Sequence, residues 1–208
     1  MKLLLKPSFL LLLCLTMTSC LNVNGDKDEN LSLDRDFSEV EINNEYKIKI
    51  PKYMDKTSDL NDEASLQYQN IFKETYVVII DESKEDLIST FKDLGEYNDS
   101  LSVVENYRDI QLSSIHENIV TSYESDFRSL NINGLDAEAF EMDGRVDGVD
   151  YDIAYFLTFI EGKEKLYMLM AWTLQDRRER YKSTYEKIAS SFRLYSRRKV
   201  RARSKKSS

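Results

Sequence analysis

Residues 149–174 read VDYDIAYFLTFIEGKEKLYMLMAWTL, a stretch dominated by apolar and aromatic side chains. Two runs rich in aromatic and aliphatic residues, 149–160 and 166–174, are separated by a short polar segment around Gly162. Runs of this kind, joined by a few residues that include glycine, are typical of the two strands of a β-hairpin. The stretch therefore predicts the centre of an antiparallel sheet.

The first of these two strands has one face of large side chains. Successive side chains of a strand point to opposite faces, so every second residue from Tyr151 to Phe159 shares that face. The face could pack beneath helices as core. Alternatively, it could join the second strand in an aromatic platform for carbohydrate or peptide, because amphipathic rings bind such ligands well. The platform residues would be Tyr151, Tyr155, Tyr167 and Trp172.

An amphipathic helix is predicted to follow the hairpin. It begins near Asp176, and its apolar face consists of residues at helical spacing. These residues are Tyr181, Tyr185, Ile188, Ala189 and Phe192.

Upstream of the hairpin, Asn133-Gly134 lies between strand-like runs. Asn-Gly is a strong signal for a two-residue hairpin turn because both turn positions need a positive φ.

Three more strands are predicted earlier in the chain. Tyr46, Ile48 and Ile50 alternate with lysines, and Pro51 ends this first strand. The next two are predicted from Leu66 to Ile71 and from Thr75 to Ile80. All three precede the helical part of the sequence.

Two helices are predicted between these strands and the Asn-Gly turn. Ser83 is placed to cap the first, whose apolar face ends at Leu94. The second has apolar residues at helical spacing from Leu101 to Ile119, but Arg108 interrupts its apolar face. Strands, then helices, then a meander and a closing helix indicate an α+β domain, in which an antiparallel β-sheet has helices packed on it.

Four segments of this predicted domain resemble the PsbP/Mog1-like fold. They are the strand YKIKIP at 46–51, the turn NGLDA at 133–137, the hairpin at 151–172 and the helix end IASSF at 188–192. The resemblance implies a sandwich of an antiparallel sheet and helices. Most proteins of this fold bind or stabilise other macromolecules, and they share no catalytic motif that could be transferred to this chain.

The beginning of the chain resembles the signal peptide of a bacterial lipoprotein. Residues 1–19 combine lysines, an apolar run and small residues before Cys20. Thr18-Ser19-Cys20 resembles a lipobox, with Met17 where that pattern usually has leucine; the looser boxes of Bacteroidetes-type lipoproteins accept such a residue. We expect Cys20 to carry palmitate-type acyl chains, and the protein to lie in the cell envelope, on the periplasmic or surface face of the outer membrane.

The cysteine content supports this expectation. The chain has two cysteines, of which Cys14 belongs to the leader and Cys20 would be the new N-terminus. Disulfides are thereby excluded in the mature protein. The polar residues 20–45 are predicted to be the lipidated cysteine followed by a flexible acidic tether, and residues 46–195 the folded domain.

The last residues, 196–208, are predicted to be a disordered basic tail on a chain whose formal net charge is −8. We expect the tail to bind a polyanion, namely anionic lipid or lipopolysaccharide, if it binds anything. No nucleic acid is expected, because stacking aromatics are missing among the basic residues. These residues are Arg197, Arg198, Lys199, Arg201, Arg203, Lys205 and Lys206.

Few residues in the domain suggest catalysis. The chain has one histidine, His116, and a zinc site needs several nitrogen or sulfur ligands. The densest acidic segment, 143–152, could hold Ca²⁺ or serve a carboxylate-based enzyme, although its spacing does not fit an EF-hand. Its Asp-Gly pairs could equally just form a turn. The candidate ligands are Asp143, Asp147, Asp150 and Asp152.

These observations together predict a membrane-anchored lipoprotein that is not an enzyme and has no cofactor. Its domain would act as a binding or assembly-support module for an envelope protein or other macromolecule. The alternative is the carboxylate-based enzyme or calcium module at residues 143–152.

Overall fold

The computed structural model describes residues 29–195. These residues form eleven strands and three α-helices. The strands are β1 (Phe37–Ile42), β2 (Tyr46–Pro51), β3 (Asp55–Lys56), β4 (Ala64–Asn70), β5 (Thr75–Ser83), β6 (Ile119–Glu124), β7 (Arg128–Ile132), β8 (Leu135–Val146), β9 (Ile153–Glu161), β10 (Lys165–Leu174) and β11 (Arg193–Leu194). The helices are α1 (Lys84–Leu94), α2 (Val103–Asn118) and α3 (Arg178–Ser190).

The large sheet has the strand order β3-β4-β5-β10-β9-β8-β6, and β7 pairs with β8 beside β6. All of its paired strands are antiparallel, and the predicted hairpin lies at its centre, with Trp172 opposite Tyr155. The first strand of that hairpin begins at Ile153 rather than at residue 149. Residues 147–150 instead form a turn in which Gly148 has a φ of 81°, a conformation that glycine adopts without strain.

The central strands are buried on both faces. On β9, Phe156 and Ile160 belong to the core beneath α3, while Tyr155, Leu157 and Phe159 belong to the core beneath α1 and α2. The core on the α3 side is completed by a small sheet of the order β1-β2-β11. The large sheet is therefore the middle layer of a sandwich, and the predicted α+β fold with helices packed on an antiparallel sheet is confirmed.

The predicted tether contains part of the fold. β1 pairs with β2 along its whole length, and Phe37 and Ile42 at its two ends are buried. Between them Ser38, Glu39 and Glu41 are exposed, and Val40 is half-buried against the core on the α3 side. Its sequence therefore lacks the strict alternation that marks a half-buried strand. The ordered domain begins no later than Glu29, and the prediction of a tether up to residue 45 is corrected.

Helices α1 and α2 begin at side-chain caps. The Ser83 side chain accepts a hydrogen bond from the Asp86 amide, as predicted. Ser102 and Glu105 form a reciprocal capping box at the start of α2. That helix ends at Asn118, and Ile119 begins β6 instead of continuing the helix. The closing helix is confirmed, but it starts at Arg178 after a 3-10 turn that contains Asp176.

Candidate binding site

A groove lies between α3 and the strands β7, β8 and β9. It has a volume of about 320 Å³, and apolar atoms contribute most of its surface. The groove exists because small residues line it: Ala139 on β8, Thr158 on β9, and Ala189 with Ser190 on α3. Ligand pockets in proteins have volumes from about 300 Å³ upwards.

The groove is open along β7. Among residues 29–195, β7 pairs with β8 on one side only, so its other edge is free of strand partners. α3 packs mainly against β2, β9 and β10, and every residue of β7 except Ile132 is exposed. Leu130 on β7 lines the groove and is partly exposed. An open edge with unpaired backbone groups is a template for another strand.

One end of the groove carries a network of charged side chains centred on Glu141. The Glu141 carboxylate is only 5% exposed and receives hydrogen bonds from Arg178 Nη1 at 2.7 Å and Arg128 Nη2 at 3.3 Å. Lys182 Nζ lies 2.9 Å from Glu141 Oε1, the oxygen that Arg128 also contacts. Arg128 also lies 3.5 Å from Glu186 at the rim. Three cations thus surround one buried carboxylate.

The spacing of residues on the two elements explains this network. Glu141 and Asp143 are two apart on β8 and therefore share the face beneath α3. Arg178 and Lys182 are four apart on α3 and share one side of the helix. The Arg178 guanidinium spans both acids, with Nε 3.0 Å from Asp143 Oδ1. Glu141, Asp143 and Arg178 are each largely buried together with a partner of opposite charge, as the cost of desolvation requires, whereas Lys182 is partly exposed.

The opposite face of β8 has a second buried ion pair. Glu138 Oε2 lies 3.3 Å from Arg108 Nη1, and Ser129 donates a hydrogen bond to its other oxygen at 2.6 Å. The Arg108 guanidinium is stacked 3.9 Å from the ring centroid of Phe127. In the sequence, Arg108 interrupts the apolar face of the second helix. In the structure it is buried on the side of α2 that packs on the sheet, where its ion pair with Glu138 joins the helix to β8.

Comparison with known proteins identifies the fold. The solution structure of cyanobacterial PsbP (CyanoP) from Synechocystis sp. PCC 6803 superposes with a TM-score of 0.50 at 12% identity, covering 83% of this chain and 99% of that one. The domain has a PsbP-like fold. A protein of unknown function from Pseudomonas aeruginosa matches 72% of this chain and 91% of its own with a TM-score of 0.43 and 13% identity. No model of a protein family and no curated protein matches the chain.

The acidic segment of this PsbP-like domain does not assemble into a site. Asp143 is buried in its ion pair with Arg178, whereas Asp152 pairs with Arg145 at 2.9 Å. Asp147 and Asp150 are exposed in the turn. Nowhere in residues 29–195 do three or more acidic, histidine or cysteine side chains gather as metal ligands would. The four candidate ligands are therefore separated. Asp143 lies within β8, and the other three lie in the turn or just after it.

The four residues of the predicted aromatic platform do not share one face of the sheet. Tyr155 and Trp172 share the face beneath α1 and α2, where Trp172 stacks on Tyr76 with ring centroids 5.2 Å apart. Tyr167 points to the other face and packs against Tyr46 and Phe192. Tyr151 lies outside the strand and is exposed. The core interpretation of this strand is correct for Tyr155, Leu157 and Phe159.

His116 lies on α2 near the surface, with Nε2 2.6 Å from Glu124 Oε1 on β6. It contacts neither the groove nor the charged network. Cys20, the predicted leader and the seven basic residues of the predicted tail lie outside the described residues, so acylation and polyanion binding stay predictions. Within residues 29–195, no helix is both long enough and apolar enough to cross a membrane.

Sequence reasoning missed Glu82, which lies at a polar cleft between α1 and α2. Burial raises the pKa of its carboxyl, while hydrogen bonds from Tyr107 at 3.3 Å and Gln111 at 2.6 Å oppose that shift. At neutral pH an ionised Glu82 is therefore held in an unfavourable environment. The available signal was an acidic residue within β5, since Glu82 lies two residues after the last apolar residue of that strand.

We expect Glu82→Gln to raise the melting temperature at pH 7, because the amide keeps both hydrogen bonds without a buried charge. A carboxyl whose folded pKa is raised stabilises the fold when protonated, and this stabilisation is lost as pH rises through that pKa. The advantage of the variant should therefore shrink as the pH falls towards about 4. Glu164→Gln, at an exposed carboxyl, is the control and should show no such trend. A constant advantage at all pH values would contradict the assignment.

Proposed function

We propose that the chain is an exported lipoprotein, anchored through acylated Cys20, whose PsbP-like domain binds an extended segment of an envelope protein in the groove between β7 and α3. In this proposal the domain is a non-enzymatic binding or assembly-support module. The observation that carries it is the open edge of β7 beside an apolar groove. An extended segment that pairs with a free strand gains backbone hydrogen bonds, and adjacent pockets select its side chains.

The charged network supports the same site. Arg128 and Glu186 stand at the rim with nearly half of each side chain exposed, so both remain able to contact a bound segment. Behind them the buried Glu141–Arg178 pair holds α3 at a fixed position relative to β8. A groove with rigid walls needs little ordering on binding, which favours affinity. We therefore expect the partner to present a small apolar side chain flanked by charged or polar ones.

The leader supports the anchoring half of the proposal. Cys20 is nine residues before Glu29, and nine fully extended residues span at most about 30 Å. Acylation of Cys20 would thus hold the domain close to a bilayer, where its partners would be membrane or periplasmic proteins. A mature lipoprotein terminus with two or more acyl chains is stably anchored, whereas one chain binds only marginally.

Site-specific photocrosslinking in intact cells tests the binding site. A benzophenone side chain at position 130, on the groove, should give a discrete adduct with a partner protein, because benzophenone reacts only with groups that it contacts. The matched control is position 94, since Leu94 is also an exposed leucine but lies at the end of α1, away from the groove.

A Leu130→Glu variant should weaken capture of the same partner about tenfold, the effect of losing about 1.4 kcal/mol of apolar contact. Leu94→Glu should leave capture unchanged. If positions 130 and 94 give the same adducts, or if neither gives one, the groove is not the binding site.

A further inference from the structure

The turn between β4 and β5 presents two large apolar side chains to solvent. Phe72 is 89% exposed and Ile71 is 57% exposed. Among residues 29–195, no other large apolar side chain is as exposed as Phe72. Neither residue belongs to the cores of the domain, so packing does not account for their presence at this tip.

The backbone of this turn is held firmly by its polar neighbours. The Asn70 side chain accepts a hydrogen bond from the Lys73 amide at 2.9 Å and donates one to the Tyr53 carbonyl at 2.6 Å. Arg177 donates to the Lys73 carbonyl at 3.0 Å. These contacts fix the turn without using Ile71 or Phe72. Both side chains are thus presented in a preset position, which reduces the ordering cost of any contact they make.

The same turn is joined to the start of the described chain. Lys73 Nζ lies 2.8 Å from the Glu29 carboxylate and 4.6 Å from the ring centroid of Tyr53. Glu29 is also bound by the Tyr53 hydroxyl at 2.8 Å, and its amide donates to the Arg180 carbonyl at 2.8 Å. The chain therefore enters the domain directly beside the exposed tip.

We propose that the Ile71-Phe72 tip inserts into the headgroup region of the same leaflet that holds the acyl chains of Cys20. This inference rests on the proposed lipid anchor, because the nine residues from Cys20 to Glu29 confine Glu29 to within about 30 Å of the bilayer surface. The tip next to Glu29 is apolar, and apolar side chains at the interface add binding in proportion to the area they bury. The occupant of the patch is thus phospholipid, and the insertion sets which end of the sheet faces the membrane.

Depth-dependent quenching tests this orientation. The full acylated chain is purified from membranes and reconstituted into vesicles of phosphatidylethanolamine and phosphatidylglycerol that contain nitroxide-labelled lipid. An environment-sensitive dye is placed on Ile71→Cys, or on Lys163→Cys as the control. Lys163 is exposed in the turn between β9 and β10, at the other end of the strands and about 25 Å away. Because Cys14 leaves with the leader and Cys20 is acylated in the proposal, the introduced thiol is the single reactive one.

The dye at position 71 should be quenched and the dye at position 163 should not, and Phe72→Ser should remove the quenching at 71. Phe72 is exposed, so this variant leaves the fold intact. Equal quenching at both positions, no quenching at 71, or quenching that survives Phe72→Ser overturns the inference while the anchor stands. Mass spectrometry of the same sample reports acylation, and an unacylated Cys20 overturns the proposed anchor together with this inference.

Discussion

Cys20→Ser should abolish acylation and release the protein from the membrane fraction. Serine offers no thiol, so the thioether that carries the diacylglyceryl group cannot form. Each methylene of an acyl chain that is buried in the bilayer contributes about 0.8 kcal/mol of membrane affinity. Removing these chains should therefore convert a protein that pellets with membranes into one that stays in the supernatant.

Metabolic labelling with a palmitate analogue, followed by fractionation in high salt, measures both effects. High salt matters because the basic residues 196–208 could hold the protein electrostatically, and such attraction is screened over about 3 Å at 1 M salt. Cys14→Ser is the matched control, since Cys14 lies in the predicted leader and its substitution should not affect labelling. A labelled Cys20→Ser protein, or an unlabelled wild type, would disprove the proposed anchor.

Arg178→Met should destabilise the domain by about 3–5 kcal/mol, the usual cost of removing one partner of a buried ion pair. Methionine keeps much of the apolar volume but leaves Asp143 and Glu141 without this cation, and both carboxylates are at most 7% exposed. Thermal or urea unfolding followed by circular dichroism measures the change. Lys182 still reaches Glu141, so Asp143 should account for most of the loss.

Arg180→Met is the matched control for this variant. Arg180 is two residues along the same helix but exposed, and its substitution should change stability by at most about 0.5 kcal/mol. Adding Asp143→Asn to Arg178→Met should recover part of the lost stability, because the uncompensated charge is then removed. Equal effects of the two arginine substitutions would show that burial of the ion pair is not what stabilises this region.

The elements that sequence reasoning identified have local signals. The hairpin of β9 and β10 is marked by its long apolar runs. The turn at Asn133-Gly134 is marked by residues that both adopt positive φ, 52° and 87°. The cap at Ser83 and the period of the closing helix are likewise readable from a few neighbouring residues. Together they were enough to predict the α+β class.

The features that sequence reasoning missed depend on partners distant in the sequence. β1 is a strand because it pairs with β2, and its own sequence has apolar residues only at its ends and at Val40. Arg108 looks like a break in the apolar helical face when only its neighbours are considered, because the partner that neutralises it, Glu138, is thirty residues away. The groove was invisible for the same reason, since it is formed by small residues on β8, β9 and α3. The one available signal was the presence of acidic residues within the apolar strand β8, which indicates that basic side chains pair with them.

The small sheet has a consequence for the order in which the chain can fold. β11 pairs with β2, and the Lys49 amide donates to the Ser191 side chain at 2.8 Å across 142 residues. The core beneath α3 therefore closes only when nearly the whole domain is available. For a chain that crosses a membrane with its N-terminus first, this long-range closure delays completion of the fold until translocation is almost finished. In the proposed export of this chain, the topology would thus help to keep it in a form that an export channel can accept.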